Sequence, residues 1–374
     1  MDPLAYLDPR TGRTWPLDPP RWCGDGGEPL LLTDLPGLAP DDIDHGTRSL
    51  WRYRAALPPL AGEPISLGEG GTPLVPRRLG GATALLKCEW LMPTGSFKDR
   101  GASVMLSLLR AQGIDAVLED SSGNGGAAIA AYAAAGGMRA KIMVPESTSP
   151  AKTVQARASG AEIALVPGSR QDCADAALRE AANLFYASHN WHPFFLQGTK
   201  TLAYELWEDL GFQAPDNVIV PCGAGSNLLG CGLGFSELLR AGQIEAMPRL
   251  FAAQPAHCAP IAREFLGLEA AAPQPTIAEG TAIAQPLRLP ECLGMLRLSR
   301  GGAVMLSEAE ITEATLTLAR GGTYVEPTSA QVAAAFAKLL AAGTIRPTER
   351  TVLVLTGSGL KATPRLAELL GVAL

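Results

Sequence analysis

The sequence has little that is typical of a nucleic-acid-binding or membrane protein. Its 31 basic and 37 acidic residues give a formal net charge of -6 and a pI near 5.4, so the composition does not favour binding to nucleic acid or to an anionic membrane. The longest run of small apolar residues, Ala127 to Gly137, has about half of the roughly 20 residues that a membrane-spanning helix requires. We therefore expect no nucleic-acid or membrane partner.

The seven cysteines form no Cys-x-x-Cys pair, and there are only four histidines. Scattered cysteines in an odd number are typical of buried, reduced thiols and not of a disulfide framework or a zinc site. The first residues contain neither the charged segment nor the apolar segment of a signal peptide. We therefore expect a cytoplasmic protein without a bound metal, whose partners are small molecules or further copies of the chain.

Strands and helices alternate along most of the sequence. With 374 residues, 47% of them apolar, the chain can bury substantial cores. Apolar segments bounded by turn residues predict strands at residues 116–119, 140–145, 161–166, 217–221, 249–254 and 351–356. Helices are predicted near residues 151–159, 200–210, 228–241, 308–320 and 329–342. This alternation predicts an α/β fold of mainly parallel sheets with helices on both faces, and its two series predict two lobes.

The segment that we expect to carry the chemistry runs from Met92 to Gly101 and contains Lys98. It follows the apolar segment Ala84-Leu85-Leu86 and precedes a second apolar segment, so a helix should begin within it. The positive end of a helix dipole and apolar packing both disfavour the ammonium form of a lysine. Lys98 is therefore a candidate Schiff-base lysine, although most lysines at helix starts are simply solvated.

Three glycine-containing loops follow predicted strands, and ligands of parallel sheets bind at such strand ends. Ser121-Ser122-Gly123-Asn124 offers hydroxyl and amide groups that suit a carboxylate. Gly223-Ala224-Gly225-Ser226-Asn227 has the glycines and donors of a phosphate-binding loop, without the signature of a triphosphate or dinucleotide loop. Thr356, in Thr356-Gly357-Ser358-Gly359, has a hydroxyl that could face a heterocycle nitrogen. Each loop alone also fits an ordinary turn, but together with Lys98 they match the groups that hold pyridoxal 5'-phosphate.

The segment Pro93 to Gly101, with Gly70-Gly71-Thr72-Pro73-Leu74 upstream, resembles one family over roughly residues 50 to 363. This is the threonine synthase branch of the pyridoxal-phosphate enzymes with the tryptophan synthase β-subunit fold, or fold type II. The resemblance implies a three-layer αβα architecture in two lobes, with the cofactor in the cleft between them. It implies that Lys98 forms a Schiff base and later moves protons, that Phe97 packs near the cofactor, and that Asn124 bonds the ring hydroxyl. Gly223, Ala224, Gly225, Ser226 and Asn227 would hold the phosphate, and Thr356 would face the pyridine nitrogen.

We expect three parts in the chain. Residues 1–60 should form an irregular arm that resembles a degenerate zinc ribbon, in which Cys23 alone remains of the cysteines that would bind zinc. Residues 61–105 and 200–374 should form the large cofactor-binding lobe, and residues 106–199 a small mobile lobe. Because homodimers are common among the enzymes it resembles, we expect a homodimer.

The resemblance implies elimination or replacement at the β or γ carbon of a small amino acid. The leading interpretation is a threonine synthase-like lyase that converts O-phosphohomoserine to threonine and phosphate. The substrate carboxylate would bind at Ser121, Ser122 and Gly123, and the other candidate substrate ligands are His189, Asn190 and Lys200. His189 and His192 could serve recognition or proton transfer, or could simply pack in the interior.

One residue departs from the pattern of threonine synthases. When the chain is aligned on Gly198 and Lys200, Phe195 stands where those enzymes have an arginine for the substrate phosphate. An aromatic ring cannot make that bidentate contact, although His189, His192, Lys152 or Lys200 could replace it. Other readings therefore stay open: a serine or threonine dehydratase, an ammonia-lyase, a β-replacement enzyme with a substrate such as O-phosphoserine, or a binding protein without catalysis.

Overall fold

A computed structural model of the chain describes residues 3–373. The first two residues of the predicted arm and the last residue of the predicted large lobe lie outside this range. The chain divides into two compact units. Unit 1 consists of Met1–Gly70 and Lys98–Thr201, and unit 2 of Gly71–Phe97 and Leu202–Leu374. The chain therefore passes between the units at three points, one of them the peptide bond between Phe97 and Lys98.

The structure contains the following strands and helices. The strands are β1 (Ala5–Leu7), β2 (Thr14–Pro16), β3 (Leu31–Leu32), β4 (Leu74–Leu79), β5 (Ala82–Lys87), β6 (Ala116–Glu119), β7 (Arg139–Pro145), β8 (Glu162–Val166), β9 (Phe185–Tyr186), β10 (Asn217–Pro221), β11 (Arg249–Pro255), β12 (Gly302–Leu306) and β13 (Thr351–Val354). The α-helices are α1 (Lys98–Ala111), α2 (Asn124–Ala135), α3 (Pro150–Ala158), α4 (Arg170–Glu180), α5 (Pro193–Thr199), α6 (Thr201–Asp209), α7 (Ser226–Arg240), α8 (Pro260–Phe265), α9 (Leu289–Leu298), α10 (Glu308–Arg320), α11 (Pro327–Ala341) and α12 (Thr363–Leu370).

Unit 1 contains a four-stranded parallel sheet in the order β8-β7-β6-β9. All four residues of β6 are buried, which is typical of a parallel strand covered on both faces. The N-terminal arm adds a separate antiparallel sheet in the order β2-β1-β3. Tyr6 and Trp15 of this arm belong to the same apolar core as Leu106 of α1 and Tyr132 of α2. The arm is therefore an integral part of unit 1.

Unit 2 contains a six-stranded sheet in the order β12-β11-β10-β13-β5-β4. Five strands are parallel, and β4 at the edge runs antiparallel to β5. Gly80 and Gly81 join β4 to β5 with φ angles of 55° and 86°, and two consecutive residues with positive φ are typical of a tight hairpin turn. Side chains of β10, β11 and β13 pack with Phe336 of α11 in one apolar core. The predicted α/β class with mainly parallel sheets is confirmed.

Within residues 3–373, the helices are all too short or too polar to serve as a membrane span.

Candidate functional site

Lys98 is the first residue of α1, as predicted, and its side chain is half-buried. Within unit 1 its Nζ lies 5.5 Å from the centroid of the Phe195 ring. The turn before the helix contains Gly95, whose φ of 84° is one that favours glycine. The sequence thus places a lysine amine at the N-terminal end of a 14-residue helix, beside an aromatic face.

The ring of Phe195 is fully buried in unit 1 and lies against the first turn of α1. A Cβ at Gly101 would be 2.5 Å from three of its ring carbons. On another side the ring meets the imidazole of His189, with centroids 5.7 Å apart and an interplanar angle of 62°. Phe195 therefore forms an apolar wall next to Lys98.

The carboxyl end of β6 holds a buried carboxyl group that the sequence patterns did not single out. Glu119 is fully buried, and its Oε2 accepts a hydrogen bond from the backbone N–H of His189 at 3.1 Å. The Nδ1 atom of His189 lies 3.0 Å from the same oxygen. Burial raises the pKa of Glu119. Burial and the charge of Lys98 lower the pKa of His189 well below its ordinary value. His189 is thus a neutral imidazole near Lys98.

The predicted carboxylate-binding loop lies directly after Glu119 in unit 1. Ser121 is buried, Ser122 is half-buried and Gly123 is exposed, and α2 begins at Asn124. The backbone N–H of Gly123 donates to Ser121 Oγ at 3.4 Å. The loop turns back so tightly on α2 that a Cβ at Gly126 would be 2.0 Å from the carbonyl oxygen of Ser121. The positive end of the α2 dipole and the serine hydroxyls suit a carboxylate.

The other candidate substrate ligands also lie in unit 1. Asn190 is half-buried just before α5, and Lys200 is fully buried just after it. His192, by contrast, caps α5, since its Nδ1 accepts a hydrogen bond from the backbone N–H of Phe194 at 3.2 Å. The packing role that was left open for His192 is therefore the one that the structure supports.

The predicted phosphate loop lies in unit 2, between β10 and α7. Gly225 has a φ of 96°, and a Cβ there would be 2.2 Å from the sulfur of Cys292 in α9. A Cβ at Gly223 would be 3.1 Å from the carbonyl oxygen of Gly280. The loop thus requires glycine at 225 for both conformation and space. Ser226 begins α7, so the positive end of a 15-residue helix lies at this loop.

Asn227 gives a direct test of whether this loop suits a phosphate. Its side chain is only 3% exposed, and neither its Nδ2 nor its Oδ1 has a hydrogen-bond partner among the described residues. A buried amide without a partner is costly. A phosphate group at the start of α7 would accept a hydrogen bond from Nδ2, so the residues present fit the phosphate of pyridoxal 5'-phosphate.

Thr356 follows β13 in unit 2 and is buried. Its carbonyl oxygen accepts a hydrogen bond from the backbone N–H of Phe97 at 2.9 Å, and the N–H of Ser358 donates to Gly95 O at 3.0 Å. Its Oγ1 lies 3.0 Å from the Oγ of Ser329 in α11. Unit 2 thus holds the residue before Lys98 against the Thr-Gly-Ser loop, and Ser329 supports the hydroxyl of Thr356.

The structure therefore places the predicted residues in two groups. Unit 1 holds the amine of Lys98 and all the predicted substrate ligands: Ser121, Ser122, Gly123, His189, Asn190 and Lys200, with Asn124. Unit 2 holds Phe97, Thr356 and the loop Gly223, Ala224, Gly225, Ser226 and Asn227. Sequence reasoning missed Glu119, Ser329 and Cys292. Only Glu119 gave a signal that could have been used, because a carboxylate is unusual as the last residue of a buried strand.

Comparisons with known proteins identify the family of the chain. Residues 65–357 match the family described as pyridoxal-phosphate dependent enzyme. The chain is 36% identical to a threonine synthase of Methanocaldococcus jannaschii, over 94% of this chain and 91% of that protein. It is 35% identical to a threonine synthase of Mycobacterium tuberculosis, over 83% of this chain and 87% of that protein.

Among solved structures, the fold is similar to the processed form of threonine deaminase isoform 2 from Solanum lycopersicum. The TM-score is 0.68 at 22% identity, with 80% of this chain and 83% of that chain covered. Together with the lysine, the glycine loop and the parallel sheets, these matches identify the family of the protein. The chain belongs to the pyridoxal-phosphate-dependent enzymes of fold type II, among which threonine synthases are its relatives.

Proposed function

We propose that the chain is a pyridoxal-phosphate-dependent lyase that acts by elimination and replacement on a small amino acid. The leading candidate reaction converts O-phosphohomoserine to threonine and phosphate. One observation carries the proposal: Lys98 begins α1 in a chain that also has the glycine loop Gly223–Asn227 with its buried, unpartnered Asn227 amide. The threonine synthases among its relatives, matched over most of their length, support this choice of reaction.

Residues of both groups described above would hold the cofactor. Lys98 would bind the aldehyde covalently through its amine, as a Schiff-base lysine. The phosphate would bind to Gly223, Ala224, Gly225, Ser226 and Asn227. Phe97 would pack near the ring, Asn124 would bond its hydroxyl, and Thr356 would face its nitrogen. When bound, pyridoxal 5'-phosphate withdraws electrons from the α carbon of an amino acid and so makes the α-proton removable.

The remaining work belongs to the side chains of unit 1. Ser121, Ser122 and the N–H groups at the start of α2 would bind the substrate carboxylate, with His189, Asn190 and Lys200 around the rest of the substrate. Once displaced by the substrate, the amine of Lys98 is free to remove the α-proton and to return it later. The half-buried position of this amine limits access of water to it.

We further infer a homodimer in a reducing compartment such as the cytoplasm. All seven cysteines are free thiols, which favours a reducing environment. Homodimers are common among the enzymes that the chain resembles, which supports a subunit interface here. Sedimentation of the purified protein tests this inference, because a monomer at micromolar concentration would contradict it.

A second candidate is favoured by Phe195. This position holds a fully buried aromatic ring, whose centroid lies 5.5 Å from Lys98 Nζ, where threonine synthases have an arginine. It therefore cannot supply a bidentate phosphate contact. A serine or threonine dehydratase, an ammonia-lyase or a β-replacement enzyme with a substrate such as O-phosphoserine would not need that contact at the γ position.

Parallel assays on the cofactor-loaded protein separate the candidates. We expect O-phosphohomoserine to yield threonine and phosphate, with little turnover of serine, threonine or O-phosphoserine. Release of ammonia and a keto acid from serine or threonine, or of phosphate from O-phosphoserine alone, would instead establish the second candidate. Cofactor binding without turnover of any of the four would make the chain a binding protein.

A further inference from the structure

Glu119 and His189 form a buried pair in unit 1, and the proposed function gives Glu119 no role and His189 only that of a substrate ligand. The two residues are 70 positions apart in the sequence. Glu119 is the last residue of β6, and His189 lies in the segment that precedes α5. Gly125 makes room for the imidazole, because a Cβ there would be 2.8 Å from both its Cε1 and its Nδ1. The side chain of His189 is 7% exposed and that of Glu119 is fully buried. The pair is therefore held in one orientation by both neighbouring elements.

The donors around Glu119 determine which atom of the pair carries the proton. Its Oε1 accepts from the backbone N–H of Asp120 at 2.9 Å, and its Oε2 accepts from that of His189 at 3.1 Å. Two backbone donors favour the ionised carboxylate. The Nδ1 atom of His189, 3.0 Å from Oε2, then carries a hydrogen and donates it. The lone pair of the imidazole is accordingly on Nε2.

This Nε2 is also the ring nitrogen of His189 that remains available to a substrate. No residue within the described range 3–373 hydrogen-bonds to it, whereas Nδ1 is occupied by Glu119. The imidazole packs edge to face with the ring of Phe195, at 5.7 Å between centroids, and the centroid of that same ring lies 5.5 Å from Lys98 Nζ. The charge of Lys98 acts on both His189 and Glu119. A neutral base and the lysine amine thus flank one aromatic ring.

We propose that His189 is a second proton-transfer residue for the reaction, acting on the side-chain oxygen of the substrate, and that Glu119 is the residue that positions it. The proposal rests on the proposed function, since it assumes elimination or replacement at an amino-acid side chain. Lys98 serves the α carbon, and His189 serves the oxygen that enters or leaves at Cβ.

In the threonine-forming direction, His189 takes one proton and Lys98 gives one. Water adds across a Cα–Cβ double bond of the substrate: its oxygen bonds to Cβ, and one of its O–H bonds breaks. Nε2 of His189 takes that proton, while the electron pair of the double bond goes to Cα and takes a proton from the ammonium of Lys98. His189 ends as an imidazolium beside the Glu119 carboxylate, and Lys98 ends as an amine. In a dehydratase the same groups would work in reverse, with His189 protonating the departing hydroxyl.

Other charged groups near the pair set its response to pH. Lys98 and Arg170 lower the pKa of His189 and the Asp120 carboxyl raises it, in addition to the larger lowering by burial. Asp120 itself is half-buried and accepts a hydrogen bond from the Tyr186 hydroxyl at 2.7 Å, and burial and the charge of Glu119 raise the pKa of its carboxyl group. Because Asp120 thus interacts with both members of the pair, the matched control is Glu180, a half-buried carboxylate of unit 1 whose ion-pair partner is Lys141 at 2.8 Å.

The test measures two rates on cofactor-loaded protein for each of the variants Glu119→Gln, His189→Gln and Glu180→Gln. One is exchange of the substrate α-hydrogen for deuterium in heavy water, which needs Lys98 alone. The other is product formation, which needs the pair as well. We expect Glu119→Gln and His189→Gln to slow product formation by about 10²- to 10⁴-fold, with α-exchange near the wild-type rate. In Glu119→Gln the acid limb of the kcat/KM profile should also move to lower pH, because the imidazole loses the carboxylate that favours its protonation. Glu180→Gln should keep the wild-type ratio of the two rates.

Each outcome decides the proposal. Equal loss of both rates in Glu119→Gln and His189→Gln would mean that the pair is only structural, and unchanged product formation would mean that it has no role; either result overturns the inference. Retention of the visible cofactor band shows that a variant is folded and loaded. If the wild-type protein itself neither exchanges the α-hydrogen nor forms product, the proposed function fails, and this result is distinct from failure of the pair.

Discussion

The ring of Phe195 occupies the space in which Gly101 would carry a side chain. A Cβ on Gly101 would be 2.5 Å from three ring carbons, and both residues are fully buried in unit 1. The contact joins α5 to the first turn of α1, where Lys98 lies. A larger residue at 101 would displace the Phe195 ring, so the orientation of this ring beside the lysine depends on glycine at 101.

Gly101→Ala should therefore destabilise the protein by about 1–3 kcal/mol, the usual cost of overpacking a filled core. Urea unfolding of wild type and variant measures the change. The matched control is Gly294→Ala in α9, where a Cβ meets no atom within 4 Å. This control should be neutral or stabilising by up to about 1 kcal/mol, because alanine is the better helix former. Equal effects of the two substitutions would contradict the contact.

Asn227→Asp should weaken cofactor binding more than Asn227→Ala does. The buried amide is placed to donate to a phosphate, and a carboxylate there would repel it. Loss of one hydrogen bond to a charged group, about 1.5–3 kcal/mol, corresponds to roughly 10- to 100-fold in the dissociation constant for the alanine variant. Titration of the apoprotein with pyridoxal 5'-phosphate measures these constants. As a control, Asn183→Asp, at an exposed position of unit 1, should bind the cofactor as wild type does. If Asn227→Asp had the wild-type dissociation constant, the loop Gly223–Asn227 would not be the phosphate site.

Glu349 should make the stability of unit 2 sensitive to acid. Burial alone would raise the pKa of its carboxyl group, but the backbone N–H of Arg346, the Asn217 amide and the Arg249 guanidinium, 2.6 Å away, outweigh burial and lower that pKa. A lowered folded-state pKa stabilises above the unfolded value of about 4.3, and this stability is lost as pH falls through the folded value.

Glu349→Gln should therefore cost about 1 kcal/mol of unfolding free energy at pH 7, and the difference from wild type should shrink as the pH is lowered from 5 toward about 3. Denaturant unfolding across this range measures it. Glu368→Gln, whose carboxylate is 67% exposed, is the control and should change stability little at any pH. If Glu349→Gln lowered the unfolding free energy by the same amount at every pH, the charge of Glu349 would not be the cause of the destabilisation.

Much of the fold could be predicted because its signals are local. The strands β6, β7, β10, β11 and β13 are apolar segments, and Gly223–Asn227 directly follows one of them, so both appear in a short window of sequence. The start of α1 at Lys98 follows from the same kind of pattern. By contrast, the short strand β12 begins with glycine and is defined by its pairing with β11, which no local pattern reveals.

The contacts within the site were less predictable because they join distant segments. Glu119 meets His189 across 70 positions, and Ser329 meets Thr356 across 27. The approach of Cys292 to Gly225 likewise depends on how α9 packs in unit 2. A pattern of residue types identifies the loops that carry chemistry; which side chain supports which functional group depends on tertiary packing.

Every step of the proposed reaction depends on the covalent role of Lys98. Treating the cofactor-loaded protein with borohydride fixes the cofactor to the lysine that holds it, and trypsin then no longer cleaves at that lysine. We predict that mass spectrometry will find the cofactor on the peptide of residues 88–100, and that in Lys98→Ala the corresponding peptide will carry no cofactor and the visible cofactor band will be absent. Attachment to another lysine, such as Lys200, or an unchanged band in Lys98→Ala, would contradict the account.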